Sequence, residues 1–188
     1  MAGVPGVGKT TVLQELESLA KKKKTQLRIV NFGNVMNQLF KKRGRQIHRD
    51  LMRRQAIALQ SRVQQEAADG IHRLSGRSTL IVDTHMFVKT ADGIWPGTPK
   101  RVLDVLGPDM IVLIEADPRA IAKRRSIDSA RQRESKTLAE VKGDLEWSRY
   151  MAITNAVLAG IPVRIVQNME GGPRAAAKDL LKIVERLS

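Results

Sequence analysis

The chain has 188 residues, a length that fits one domain, and its 42% hydrophobic content can form a core that is mainly aliphatic, because only 3% of residues are aromatic. It contains no cysteine, which excludes disulfides, thiolate catalysis and zinc–thiolate sites and fits a reducing cytoplasm. The formal net charge of +14 favours anionic partners, either phosphorylated substrates or nucleic acid, and no apolar run is long enough to cross a membrane.

A glycine-rich motif opens the chain and fits the pattern G-x-x-x-x-G-K-[ST]. Its members are Gly3, Val4, Pro5, Gly6, Val7, Gly8, Lys9, Thr10 and Thr11. The glycines let successive backbone N–H groups surround a phosphate, and the helical pattern at 10–22 points its positive end at the same anion. Lys9 supplies a charge for the β- and γ-phosphates, and the Thr10 hydroxyl is a candidate Mg²⁺ ligand. The motif therefore predicts a nucleotide-binding loop, called the phosphate loop below.

Hydrophobic periodicity predicts alternating strands and helices along the rest of the chain. Apolar runs predict strands at 27–32, 79–83, 110–115 and 162–167. Helical patterns cover 34–42, a long stretch that ends at 74, 102–106, a stretch that begins at 117–118, 138–158 and 177–187. Residues 86–99 are rich in glycine and proline, so we expect a loop there rather than a regular element. This alternation predicts a mostly parallel sheet with helices on both faces.

Polar residues follow one of the predicted strands. Asp83 ends the run at 79–83, and Thr84 and His85 come directly after it. Open α/β sheets bind their ligands at the carboxyl ends of the strands, so these residues are candidates for the site. His85 has two interpretations, a substrate contact or a hydrogen-bonded structural role.

The densest basic segment spans residues 124–133 and includes Arg124, Arg125, Arg131 and Arg133. A guanidinium group offers a planar fork of donors that matches phosphate oxygens, which favours a phosphate-binding role. A solvated helix face is the alternative for Arg124 and Arg125. We expect Asp128 to brace this segment through an ion pair rather than to act as a catalytic base.

Several of these stretches together resemble archaeal-type adenylate kinases, which belong to the P-loop nucleoside monophosphate kinases. The resemblance runs from Gly3 to the C-terminus, and its pieces stand in the family's order. They are GVPGVGKTT at 3–11, Asn31-Phe32-Gly33 with Met36, Arg49-Asp50-Leu51-Met52-Arg53, Val82-Asp83-Thr84-His85, the loop from Lys89-Thr90 to Pro99, Arg124-Arg125 through Arg133, and Leu158-Ala159-Gly160 leading to Ile165-Val166-Gln167-Asn168.

The resemblance implies one P-loop NTPase domain over residues 1–188, with three α/β/α layers and a parallel sheet of five strands. Within that domain it implies an acceptor-binding segment at about 31–75 and a lid at about 124–137, and it implies a homotrimer. The implied reaction is reversible, Mg²⁺-dependent phosphoryl transfer from ATP to AMP, giving two ADP.

The resemblance also assigns roles to individual residues. The implied catalytic residues are Lys9, Arg124, Arg125, Arg131 and Arg133. The implied Mg²⁺ ligands are Thr10 and, through water, Asp83. The implied AMP contacts are Asn31, Gly33, Arg49, Arg53, Thr84 and His85. Whether Arg53 or Arg54 faces the site is left open by the sequence.

The start of the sequence departs from the expected pattern. A phosphate loop normally follows a buried strand, and here only Met1 and Ala2 precede Gly3, so four of the five strands are visible. In the family this first strand is central, and without it the backbone groups of two neighbouring strands would be unpaired, at a cost of about 1–3 kcal/mol each. We therefore expect the true start to lie upstream, or the chain to be a fragment.

Two alternative functions compete with adenylate kinase. The first is a P-loop kinase for another nucleoside monophosphate or a small phosphorylatable metabolite, which only the acceptor region would distinguish. The second is a basic, nucleotide-dependent factor associated with RNA or the ribosome, which the net charge of +14 motivates.

Overall fold

The computed structural model describes residues 1–43, 57–76, 78–90, 93–127 and 137–187. The helices in these ranges are α1 (Lys9–Lys23), α2 (Phe32–Lys42), α3 (Ile57–His72), α4 (Lys100–Leu106), α5 (Pro118–Ile127), α6 (Leu138–Ala159) and α7 (Pro173–Leu187). The strands are β1 (Leu27–Asn31), β2 (Thr79–Asp83), β3 (Phe87–Thr90), β4 (Gly93–Pro96), β5 (Ile111–Glu115) and β6 (Val163–Gln167). No helix in the described ranges is long and apolar enough to span a membrane.

The four predicted strands form two parallel pairs. β1 pairs with β2 in a register from Leu27–Thr79 to Asn31–Asp83. β5 pairs with β6 in a register that ends at Glu115–Gln167. The expectation of parallel strands alternating with helices is confirmed. β5 is buried at all of its positions, so it is covered on both faces, as expected for a parallel strand in this fold class.

Met1 and Ala2 lie between these two pairs and connect them. The Met1 amino group donates to the Val82 carbonyl at 2.8 Å, and the Thr84 amide donates to the Met1 carbonyl at 3.0 Å. On the other side, Ala2 forms a parallel bridge with Leu113. Burial, together with the charge of nearby Lys9, lowers the pKa of the Met1 amino group to about 5 against the opposing effect of Asp83. The phosphate loop therefore leaves directly from the centre of the β-structure.

Side-chain caps explain several helix boundaries. The Asn31 side chain accepts from the Asn34 amide at 2.9 Å, so the chain turns into α2 one residue before the predicted end of the strand. The Asp117 carboxylate accepts from the Arg119 amide at 2.9 Å and thereby caps α5. Thr137 and Glu140 form a reciprocal capping box at the start of α6. These caps use local sequence signals, and the predicted starts of α2, α5 and α6 lie within about two residues of the observed ones.

The prediction of a loop over residues 86–99 is wrong. β3 and β4 form an antiparallel hairpin in which Phe87 is opposite Pro96 and Thr90 is opposite Gly93. Proline is tolerated here because β4 pairs only with β3 among the described strands, so Pro96 lies on an edge strand. After the hairpin, a Cβ atom on Gly97 would lie 1.9 Å from the His85 carbonyl oxygen, so this glycine permits a close approach of two backbone segments. Glycine and proline therefore mark the ends of a hairpin and not an irregular loop.

Candidate active site

The phosphate loop joins the centre of the β-structure to the N-terminus of α1. Gly8 is the residue before α1 and has a φ of +82°, a left-handed conformation that a side chain would strain. A Cβ atom on Gly8 would also lie 2.6 Å from the Nδ2 atom of Asn168. The positive end of the α1 dipole therefore lies where the phosphate loop ends, a position that suits an anion.

Lys9 lies beside Asp83, which ends β2, and Thr84, which follows it. Its buried ammonium group forms an ion pair with the Asp83 carboxylate and donates to the Thr84 carbonyl at 2.5 Å. The structure therefore brings together Lys9, Asp83 and Thr84, which the sequence analysis selected separately. Lys9 and Asp83 are separated by more than seventy positions in the chain, and they meet because α1 begins and β2 ends at the same edge of the sheet.

Asp83 is also held from the side of β1. The Asn31 Nδ2 group donates to the second carboxylate oxygen of Asp83 at 2.5 Å, while the Asn31 Oδ1 atom caps α2. Asn31 therefore has two structural contacts in addition to its predicted contact with AMP. Gly33 lies in the first turn of α2, next to this position.

The oxygen donors in this region fit Mg²⁺. Thr10 lies in the first turn of α1 and is exposed, and Asp83 is 7% exposed. Mg²⁺ usually binds to proteins through one or two such oxygens, with the rest of its shell supplied by water and substrate phosphates. The described residues contain no cluster of three or more His, Cys, Asp or Glu side chains that could hold a metal ion.

His85 contacts the first residue of the phosphate loop. Its Nδ1 atom donates to the Gly3 carbonyl at 2.8 Å, which assigns the proton to Nδ1 in the neutral ring. The hydrogen-bonded structural role proposed for His85 is therefore present in the structure. This contact fixes the segment after β2 against the beginning of the loop.

Two arginines from the last turn of α5 contact the phosphate loop. Arg124 donates to the Gly6 carbonyl at 3.1 Å, and Arg125 donates to the Pro5 carbonyl at 2.8 Å. Arg125 is 2% exposed and is also paired with Asp144 at 2.8 Å. Their interpretation as a solvated helix face does not fit these contacts. The other predicted arginines, Arg49, Arg53, Arg54, Arg131 and Arg133, together with Asp128, lie outside the described residues.

Several contacts around the site were missed by the sequence analysis. Asn168 follows β6 and donates to the Val7 carbonyl of the phosphate loop at 2.7 Å. Gln64 donates to the Pro96 carbonyl at 3.2 Å and accepts from the Trp95 indole at 3.2 Å, which joins α3 to the hairpin. Asn168 carried a usable signal, because it is a polar residue directly after a strand, as Asp83 is. Gln64 carried none, because it lies within a long helical pattern.

A buried carboxylate at the end of β5 was also missed. Glu115 is 3% exposed and accepts from Arg149 of α6 through both oxygens, at 2.7 and 2.6 Å. This bidentate hydrogen bond raises the pKa of the Arg149 guanidinium group. The pair attaches α6 to the edge of the sheet where the candidate site lies.

The chain is similar to known proteins over most of its length. A family model described as an AAA domain matches residues 2–142. An adenylate kinase of Sulfurisphaera tokodaii is 38% identical over 185 residues, which cover 96% of this chain and 95% of that protein. An adenylate kinase of Thermoplasma acidophilum is 39% identical over 184 residues, which cover 98% of this chain and 96% of that protein.

The fold has a counterpart among solved structures. A shikimate kinase from Bacteroides thetaiotaomicron matches with a TM-score of 0.59 and 13% identity, covering 98% of this chain and 96% of that chain. Likeness at this identity concerns the fold alone, and it confirms the predicted P-loop kinase class. The similarity to the archaeal enzymes extends through nearly the whole chain. The chain therefore belongs to the adenylate kinase family.

Proposed function

We propose that this protein catalyses reversible, Mg²⁺-dependent phosphoryl transfer from ATP to AMP, giving two molecules of ADP. The observation that carries this proposal is the convergence of Lys9, Asp83 and Thr84 beside the phosphate loop. In the reaction, a phosphate oxygen of AMP forms a bond to the γ-phosphorus of ATP while the bond to the β–γ bridging oxygen breaks. Little covalent participation by the protein is needed, so positioning and neutralisation of charge dominate.

On the donor side, the loop amides and the N-terminus of α1 hold the phosphates of ATP. Lys9 places its ammonium group at the end of β2, where its charge follows the transferred phosphoryl group. Thr10 and, through water, Asp83 would hold Mg²⁺, which when bound neutralises the phosphate oxygens. Arg124 and Arg125 support the loop from α5, and Arg131 and Arg133 complete the lid in this proposal.

On the acceptor side, AMP contacts Asn31, Gly33, Arg49, Arg53, Thr84 and His85. Support comes from the position of Asn31 and Thr84, which both lie next to Asp83 at the carboxyl ends of β1 and β2. The acceptor-binding segment extends over about 31–75, and the residues from Thr84 to the β3–β4 hairpin form its other wall.

We also propose a homotrimer located in the cytoplasm. The exposed apolar side chains of Tyr150, Ile153 and Val157, which are 61%, 54% and 76% exposed, lie on one face of α6 and support contact between subunits. Light scattering coupled to size exclusion tests this state, and Val157→Glu is expected to lower the measured mass. The lack of cysteine supports a reducing compartment.

The test of function is a coupled assay with MgATP that compares AMP, CMP, UMP, GMP and no acceptor. ADP formation that requires AMP is the expected result, and turnover without an acceptor would contradict the proposal.

Lys9→Ala is expected to lower kcat by about a hundredfold or more, because it removes a charge directed at the transferred group. Lys182→Ala, which removes an exposed lysine paired with Asp179 on α7, is the matched control.

The relatives favour AMP over another acceptor and over a dedicated RNA factor. Weak RNA association is supported only by the net charge of +14. It is tested by binding of an unstructured RNA at two salt concentrations. A loss of binding at the higher salt concentration is expected, and binding that persists would indicate a specific RNA site.

A further inference from the structure

Asp144 is a buried carboxylate that no catalytic assignment includes. It lies on α6, is 5% exposed, and uses its two oxygens for two different elements. The Oδ2 atom accepts from Arg125 of α5 at 2.8 Å, and the Oδ1 atom pairs with Lys89 of β3 at 2.7 Å. Buried carboxylates are costly unless they are paired, so this position is held by both cations.

The two cations that meet at Asp144 come from the two sides of the candidate site. Arg125 donates to the Pro5 carbonyl, which places it against the phosphate loop on the donor side. Lys89 belongs to the β3–β4 hairpin, which continues from Thr84 and His85 on the acceptor side. Asp144 therefore joins a donor-side group to an acceptor-side group through a single carboxylate.

The two partners differ in their burial. The Arg125 side chain is 2% exposed, whereas the Lys89 side chain is 33% exposed. Arg125 is thus fixed inside the protein, whereas part of the Lys89 side chain remains accessible to solvent. Without the carboxylate, the two cations would repel each other, and the buried guanidinium group would lose its anionic partner.

We propose that Asp144 is a positioning residue that fixes Lys89 beside Arg125. In this way the acceptor phosphate is held at a fixed position relative to the phosphate loop. This inference rests on the proposed function, because it requires an anionic acceptor on the hairpin side. Asp144 touches no reacting atom itself and acts through the two cations.

The test is a double-mutant cycle in the coupled assay, with Asp144→Asn, Lys89→Gln and the double variant. Each single variant is expected to raise the KM for AMP by about tenfold, with a smaller effect on the KM for ATP. The double variant is expected to resemble Lys89→Gln alone, because the carboxylate acts through that lysine. Asp104→Asn, whose exposed carboxylate pairs with Lys100 on α4, is the matched control and is expected to behave as the parent protein.

The outcomes separate this inference from its alternatives. A purely structural role for Asp144 would lower the folded fraction and apparent kcat but leave the KM for AMP unchanged. An unchanged KM for AMP overturns the inference while leaving the proposed function intact. If the parent protein shows no AMP-dependent turnover, the proposed function fails and this inference fails with it.

Asp144→Asn leaves a buried charge without its partner, so it can prevent folding. In that case Lys89→Gln and Lys89→Arg decide the question, because Lys89 is partly exposed and can be changed at lower cost. Lys89→Arg keeps the cation that the carboxylate holds, so its KM for AMP is expected to remain within about threefold of the parent. An unchanged KM for AMP in Lys89→Gln would overturn the inference.

Discussion

The side chain of Asn168 donates to the Val7 carbonyl at 2.7 Å and thereby ties the end of β6 to the phosphate loop. Asn168 is 4% exposed, so the carbonyl that it satisfies is shielded from water. The loop conformation is therefore stabilised by a residue that lies 161 positions away in the chain.

Asn168→Ala is expected to destabilise the protein by about 1–3 kcal/mol, because it leaves a buried carbonyl group without a donor. It is also expected to raise the KM for ATP more than the KM for AMP, since the contact is with the phosphate loop. Urea denaturation and the coupled assay measure both effects. Gln14→Ala on the exposed side of α1 is the control, and equal behaviour of the two variants would contradict the prediction.

Gly97→Ala is expected to be among the most damaging small substitutions in the described part of the chain. A Cβ atom at this position would lie 1.9 Å from the His85 carbonyl, so the backbone would have to move. Because His85 contacts the Gly3 carbonyl, the displacement is expected to lower kcat as well as the melting temperature.

Gly70→Ala provides the matched control for Gly97→Ala. Gly70 lies inside α3, where the nearest described side-chain atom would be 4.0 Å from the new Cβ atom. Alanine is expected to stabilise this helix by about 0.5–1 kcal/mol. Thermal denaturation of both variants checks the contrast, and a Gly97→Ala protein as stable as the parent would refute the steric argument.

Glu66 gives the protein a pH-dependent contact between the end of α2 and α3. Its carboxylate pairs with Arg43, and this hydrogen bond holds the pKa of Glu66 below its ordinary value. Because the pKa is lowered in the folded state, the contribution is present above the unfolded pKa of about 4.3 and is lost as the pH falls through the folded value.

The expected result is a difference in unfolding free energy between the parent and Glu66→Gln that is constant near neutral pH and shrinks below about pH 4.3. The effect is small because solvent screens an ion pair at this degree of exposure. Urea denaturation at pH 7 and at lower pH measures it. A difference that grows as the pH falls would contradict the prediction that the contribution of Glu66 to the unfolding free energy is lost at low pH.

Local patterns explain what could be predicted from the sequence. The phosphate loop, the strand that ends at Asp83 and the capped start of α5 at Asp117 all depend on residues close together in the chain. Residues that follow parallel strands lie at the edge formed by the carboxyl ends of those strands, which is where open α/β sheets bind their ligands. These features required no knowledge of distant contacts.

Features with ambiguous local signals or with distant partners could not be predicted. The β3–β4 hairpin was missed because glycine and proline at its ends also occur in irregular loops. Asp144 was missed because nothing near it in the sequence indicates Lys89 as a partner. Trp147 is 47% exposed and contacts Tyr150 edge-to-face, an arrangement that helical periodicity alone does not show.

Three polar side chains of α6 contact four other parts of the molecule. Asp144 contacts α5 and the hairpin, Arg149 contacts the end of β5, and Asn155 donates to the Thr98 hydroxyl at 2.8 Å. A helix of 22 residues is a stiff rod about 33 Å long. When α6 moves as a rigid body, these contacts shift together. A small tilt of this helix would therefore change the donor side, the acceptor side and the sheet edge at the same time.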